Sequence, residues 1–198
     1  MTNPYIDIPD SDDLSKEQRE IYSYGLNRNL IINGAAGSGK TILAILRAKQ
    51  LADSGMRVLF IVFNNSLKEY TTMAMREFGL GDRVLLKMPT DISLEVLGKR
   101  KLSNYMTNED RKRMINFCNY DHVIVDEAQD FGPVEFAIMM DAVSDKHQIT
   151  IVGDVAQKIL SARKFIGWNK VVDCLGLEED SIIQLEVSFR CTVPIMTL

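Results

Sequence analysis

One octapeptide constrains this chain more than any other feature. Gly34-Ala35-Ala36-Gly37-Ser38-Gly39-Lys40-Thr41 lies between the short apolar run Leu30-Ile31-Ile32-Asn33 and a helix-favouring stretch from about Lys40 to Ser54. It satisfies the pattern G-x-x-x-x-G-K-[ST]. Glycines in such a turn let backbone N–H groups face inward around phosphate oxygens, and the N-terminus of the following helix adds partial positive charge. Lys40 is then placed to reach the β- and γ-phosphates of a nucleotide, and the Thr41 hydroxyl to bind Mg²⁺. A chance Gly-rich turn is the alternative, and the strand before it and helix after it argue against that.

The rest of the chain keeps the same rhythm. Val58 to Phe63 is a continuous apolar run, as expected of a strand covered on both faces, and a helix follows over roughly Ser66 to Phe78. His122-Val123-Ile124-Val125 and Gln148-Ile149-Thr150-Ile151-Val152 read as two more such strands, with a helix near 134–143 between them and a last strand over Ile182 to Val187. Strands alternating with helices predict an α/β fold, a central parallel sheet with helices on both faces. Ser15 with Gln18 three residues on resembles a capping box and opens a short helix through about Tyr24; residues 1–13 before it are an acidic lead-in. The stretch from about 80 to 119 breaks the rhythm and reads as a small insertion. Its basic clusters, Lys99-Arg100-Lys101 and Arg111-Lys112-Arg113, suit either a solvated face or nucleic-acid contacts.

The strand His122–Val125 ends in Asp126 and Glu127. On its own an acidic pair after a strand is usually a solvated loop. Beside a phosphate-binding loop in the same sheet, Asp126 is placed to hold Mg²⁺ through water, and Glu127 to orient and deprotonate the attacking water.

Composition excludes some classes. A net charge of −4 argues against a wholly basic nucleic-acid-coating protein, though a local basic strip suffices to contact phosphates. The three cysteines and two histidines show no zinc-binding spacing and read as structural. Free thiols of this kind suit a reducing cytoplasm. No signal peptide and no apolar run long enough for a membrane span is legible.

Taken together, the motifs resemble those of superfamily 1 helicases of the UvrD/Rep type. Val125-Asp126-Glu127-Ala128-Gln129-Asp130 contains the D-E-A-Q-D signature of that family's motif II, and the others fall in the family's order from residue 14 to 194. Leu14 to Glu20 resembles the Q motif, where Gln18 selects ATP through N6 and N7 of adenine. Gly34 to Thr41 is similar to motif I, and Phe63-Asn64-Asn65 to the end of motif Ia, which implies contact of Phe63 and Asn65 with single-stranded nucleic acid. Gly153-Asp154-Val155-Ala156-Gln157 resembles motif III, with Gln157 sensing the γ-phosphate. Leu185 to Thr192 resembles motif IV, with Phe189 stacking on adenine and Arg190 on the γ-phosphate.

The resemblance implies a RecA-like P-loop NTPase domain over residues 14–198. It implies ATP and Mg²⁺ as ligands, single-stranded nucleic acid, in the first place DNA, as partner, and a second RecA-like domain in the full-length protein for translocation and unwinding. The chain departs from the family in places. Ile42 stands at a nucleotide-facing position that is often Arg, which removes one contact. Lys158-Ile159-Leu160-Ser161-Ala162-Arg163 replaces a base-stacking run, a contact type worth roughly 1–3 kcal/mol per base. No motif Ib is evident, and only some sixty residues separate motifs Ia and II. An ATP-dependent nucleic-acid-binding switch that does not unwind is the alternative.

Overall fold

The structure, a computed structural model, describes residues 11–81, 83–98, 107, 109–110, 112–113, 120–132, 148–154, 171–173 and 181–186. Its centre is a six-stranded sheet of β1 (Leu30–Gly34), β2 (Val58–Ile61), β3 (Val84–Lys87), β4 (His122–Val125), β5 (Gln148–Gly153) and β6 (Ile182–Leu185), in the spatial order β3-β2-β4-β5-β1-β6. Every pairing is parallel. The interior strands are buried along their length, β2 and β4 at every residue, which explains their unbroken apolar sequences. β6 at one edge is largely exposed, and Ile182 lies open to solvent.

Alternate residues of the interior strands serve two cores. Leu30, Ile32, Phe60, Ile124 and Val152 face one side, where they meet α2 (Lys40–Asp53) through Leu43, Ala44, Leu51 and neighbours, together with Ile21 of α1 (Lys16–Tyr22) and Met75 of α3 (Asn65–Glu77). Ile31, Leu59, Val123, Val125, Ile149 and Ile151 face the other, covered by Ile92 of α4 (Pro89–Leu97), Phe131 and Val171. Each such aliphatic contributes about 1.5–3 kcal/mol on burial. The expected parallel α/β sheet with helices on both faces is thus the observed one.

Two expectations need adjustment, and two others fall outside the described residues. β3 lies within the stretch read as an insertion, yet pairs with β2 from Val58↔Val84 to Ile61↔Lys87, so that stretch begins as sheet. The strand expected over Ile182 to Val187 ends at Leu185. The helix expected over 134–143 and the basic cluster at 99–101 lie outside the described residues.

Parallel strands put all their carboxyl ends on one edge, the edge where ligands bind in open α/β sheets. β5 separates β1, which feeds the Gly-rich loop, from β4, which ends at Asp126. Ile31, Ile151 and Val125 are level across the three. Residues nearly ninety apart in sequence therefore meet at one place.

Candidate active site

The Gly-rich loop leaves β1 at Gly34. A Cβ there would stand 2.8 Å from both the Leu185 Cβ and the Ser38 Oγ, so only glycine lets β6 and the loop close together. Gly37 and Gly39 adopt left-handed backbone, φ 81° and 86°, and Gly39 is the N-cap of α2. No side chain caps that helix start, which leaves its first N–H groups to a ligand in the way that suits an anion. Lys40, in the first turn, is buried and donates to the Gly34 carbonyl at 2.8 Å and to the Ala35 carbonyl at 2.9 Å. Ser38 Oγ is buried without a hydrogen-bond partner.

Asp126 is fully buried at the end of β4. Its Oδ1 accepts the Glu127 N–H at 2.9 Å, its Oδ2 is buried without a partner, and the Thr41 hydroxyl stands near enough to favour its charged form. Burial, then the Glu127 charge, pushes its pKa up to about 7, against the pull of Thr41, the Glu127 N–H and Lys40. A divalent cation fits these groups: one unsatisfied carboxylate oxygen and one hydroxyl are the hard oxygen donors that Mg²⁺ takes, alongside phosphate and water oxygens. Among the described residues no group of three His, Cys, Asp or Glu gathers as a metal site.

Glu127 is the one non-glycine residue among those described with positive φ, at φ 54° and ψ 46°. Such a conformation costs a non-glycine residue about 1–2 kcal/mol and is held by its surroundings. A 3₁₀ turn, Ala128–Asp130, follows. Its Gln129 donates from Nε2 to the Glu127 carboxylate and accepts the Asp154 N–H through Oε1 at 3.1 Å.

Gln18 reaches the loop from the other side. The capping box forms as expected: Gln18 N–H donates to Ser15 Oγ at 3.2 Å, and Ser15 N–H to Gln18 Oε1 at 2.9 Å. Gln18 Nε2 donates to the Ser38 carbonyl at 3.2 Å, close enough to Gly39 that a Cβ there would stand 2.7 Å away. Each end of the amide makes one bond within the chain, which leaves one N–H and one lone pair for a further partner. One residue earlier, Glu17 accepts the Glu186 N–H at 3.1 Å and ties α1 to the end of β6.

The structure brings together Gln18, Gly34, Ala35, Ala36, Gly37, Ser38, Gly39, Lys40, Thr41, Asp126 and Glu127. Ile42 is partly buried and packs against the apolar core behind the loop, so it offers the nucleotide no polar contact. Phe63 is half-buried, with its ring edge-on to Phe131 at 5.3 Å between centroids. Asn64 caps α3 by accepting the Leu67 N–H, and Asn65 is exposed in its first turn. Gln157, Phe189 and Arg190 lie outside the described residues. The sequence alone assigns Gln129 no role. Its place inside the D-E-A-Q-D string was the available signal, and only the fold shows what its amide touches.

Comparison with known proteins agrees with this geometry. The family model described as AAA domain matches residues 18–163. No curated protein matches. Among solved structures, the Pif1 helicase from Candida albicans superposes with a TM-score of 0.55 at 21% identity, over 89% of this chain and 40% of that one. The Hef helicase domain of Pyrococcus furiosus gives 0.56 at 15% identity, over 85% and 37%. Pif1 helicase from Bacteroides, in complex with ADP-AlF3 and ssDNA, gives 0.51 at 17% identity, over 91% and 44%. The fold is thus the RecA-like P-loop fold, and the chain spans less than half the length of these proteins. No described helix is long and apolar enough to cross a membrane.

Proposed function

Because the chain belongs to the AAA domain family, matched over residues 18–163, we propose that this site binds Mg·ATP and hydrolyses it as the first motor domain of a superfamily 1 helicase. The observation that carries the proposal is the fully buried Asp126 carboxylate, its Oδ2 unpartnered, close to Thr41 and Lys40 at the start of α2. Thr41 and Asp126 would hold Mg²⁺, which supplies charge neutralisation on the phosphates.

The chain's own groups do the rest. The loop N–H groups and Lys40 grip the phosphates, the ammonium exchanging its carbonyl partners for charged oxygens, a stronger class of hydrogen bond. Glu127 orients the attacking water and takes its proton. Positioning and charge neutralisation then supply most of the rate. Gln157 and Arg190 are assigned to the γ-phosphate, and Gln18 and Phe189 to adenine.

Single-stranded DNA is the proposed partner, through Phe63 and Asn65. Solved neighbours include a Pif1 helicase in complex with ssDNA. The UvrD/Rep subtype rests on the motif sequences alone. Translocation and unwinding are assigned to the full-length protein with a second RecA-like domain, in a reducing cytoplasm. A nucleotide-driven switch that does not unwind is the second reading, favoured by Lys158–Arg163 in place of a base-stacking run. Strand displacement by the full-length protein separates the two.

The test of the chemical claim is Glu127→Gln in the full-length protein. ATP binding should persist while hydrolysis falls by two orders of magnitude or more, on the order of a lost general base. Asp126→Ala should weaken both. Normal hydrolysis by Glu127→Gln would place the base elsewhere.

A further inference from the structure

Gln129 is 4% exposed, on the turn that follows Glu127, and its side chain meets two partners that are chemically one-way. The Asp154 backbone N–H can only donate, and the ionised Glu127 carboxylate can only accept. Oε1 must therefore face Asp154 and the NH₂ group must face Glu127, which is the arrangement observed. The amide has one orientation compatible with both neighbours. It links the end of β5 to the carboxylate at the end of β4.

Glu127 needs such a link. Its left-handed backbone is strained for a residue with a Cβ, and it stands in the short connection between β4 and the Ala128–Asp130 turn. Two contacts fix its main chain and side chain: its N–H donates to Asp126 Oδ1, and its carboxylate accepts from Gln129. The turn itself is anchored, because Phe131 just beyond it is fully buried against Phe63. The base thus sits on a fixed turn with its carboxylate aimed by one amide, and that amide is referenced to β5.

We infer that Gln129 is a positioning residue for hydrolysis: it aims the Glu127 carboxylate and makes that aim depend on the end of β5 at Asp154. Gln129 touches neither nucleotide nor water in this role. The inference deepens the proposed function and rests on Glu127 being the base.

Two substitutions remove the bond to Glu127, one keeping and one giving up the bond to Asp154. Gln129→Glu keeps an oxygen for the Asp154 N–H, but sets a second acceptor against Glu127 where a donor stood. Gln129→Met keeps the length and gives up both bonds without adding charge. In the full-length protein, both should lower kcat for Mg·ATP about 10–100-fold, the scale of a misaimed catalytic group, with KM and the titrated affinity for Mg·ATP changed less than about threefold. Melting curves run beside them show that each variant is folded. Wild-type kcat in both variants overturns the inference. So does unchanged kcat with raised KM, which would make Gln129 part of nucleotide binding. Glu127→Gln, assayed in parallel, tells the two failures apart: if it hydrolyses ATP normally the base assignment fails, whereas if it is inactive while both Gln129 variants are normal only the positioning role fails.

Discussion

His122 takes no part in the proposed chemistry, yet its place on β4 gives the domain a pH dependence. It is fully buried, with Nε2 at 2.8 Å from Thr150 Oγ1. Burial, then the Arg47 charge, lowers its pKa from 6.5 to about 3. The folded value is the lower one, so the unfolded chain binds the extra proton between the two. Its contribution to stability is therefore complete above about pH 6.5 and is lost as pH falls toward 3. At about 1.4 kcal/mol per pH unit, roughly 2 kcal/mol is lost between pH 7 and 5. Asp126 acts in the opposite sense: its pKa is raised to about 7, so acid relieves the cost of its buried charge over that range. The informative quantity is the difference between wild type and His122→Gln in urea unfolding at the two pH values. The variant should gain about 2 kcal/mol on wild type on going from pH 7 to pH 5. Parallel stabilities would mean that the imidazole is not held neutral by burial.

At the scale of elements, α1 is a seven-residue helix, too short to hold its place by itself. The helix α2 holds it, chiefly through the connection that leads from α1 to β1. Arg47, 2% exposed, donates from Nη1 to the Tyr24 carbonyl at 3.1 Å and from Nη2 to the carbonyls of Gly25 and Arg28 at 2.9 and 3.3 Å, while Nε donates to Thr150 Oγ1 at 2.8 Å. Gln50 adds a bond to the Tyr22 carbonyl at 3.1 Å. Burial lowers the guanidinium pKa to about 10, which leaves it charged at neutral pH and costly to remove by halves. Arg47→Met should strand those carbonyls and cost about 3 kcal/mol, a melting loss of roughly 6–12 °C. Arg47→Lys, with a point charge in place of the fork, should recover only part. Wild-type melting of Arg47→Met would show that the carbonyls find water instead.

None of this clasp is legible in the sequence, where Arg47 is one basic residue within an apolar helix. Lys40, Thr41, Asp126 and Glu127 are legible because their chemistry is written in contiguous strings beside recognisable strands. The capping box at Ser15 and Gln18 is legible for the same reason. The second bond of Gln18, to the Ser38 carbonyl, is not, because it depends on how α1 sits on α2. β3 was hidden because a four-residue edge strand, only its first residue buried, looks like any short apolar run. Gln129 needed β4 and β5 side by side before its two partners could be seen.

For the whole molecule, the sheet supplies one wall of the proposed nucleotide site. The chain spans about 40% of the Candida albicans Pif1 structure and 44% of the Bacteroides one, and under the proposed function the opposite wall, with a further arginine for the γ-phosphate, belongs to a second RecA-like domain. An arginine finger is worth about 10³–10⁵ in rate, so the 198-residue chain alone should hydrolyse ATP slowly and without strong stimulation by single-stranded DNA or RNA. Steady-state ATPase of a verified monomer checks this, and brisk strand-stimulated turnover would mean that the complete catalytic site lies within these residues. Binding needs less than turnover, since Lys40, Thr41 and Asp126 are already assembled. The most direct measurement is therefore the melting temperature of the chain against Mg·ATP and Mg·ADP, with Lys40→Ala beside it. At a hundredfold excess over Kd, nucleotide should add about 2.7 kcal/mol, a shift of roughly 5–10 °C that Lys40→Ala largely loses. No shift with either nucleotide at saturating concentration would contradict the account at its centre.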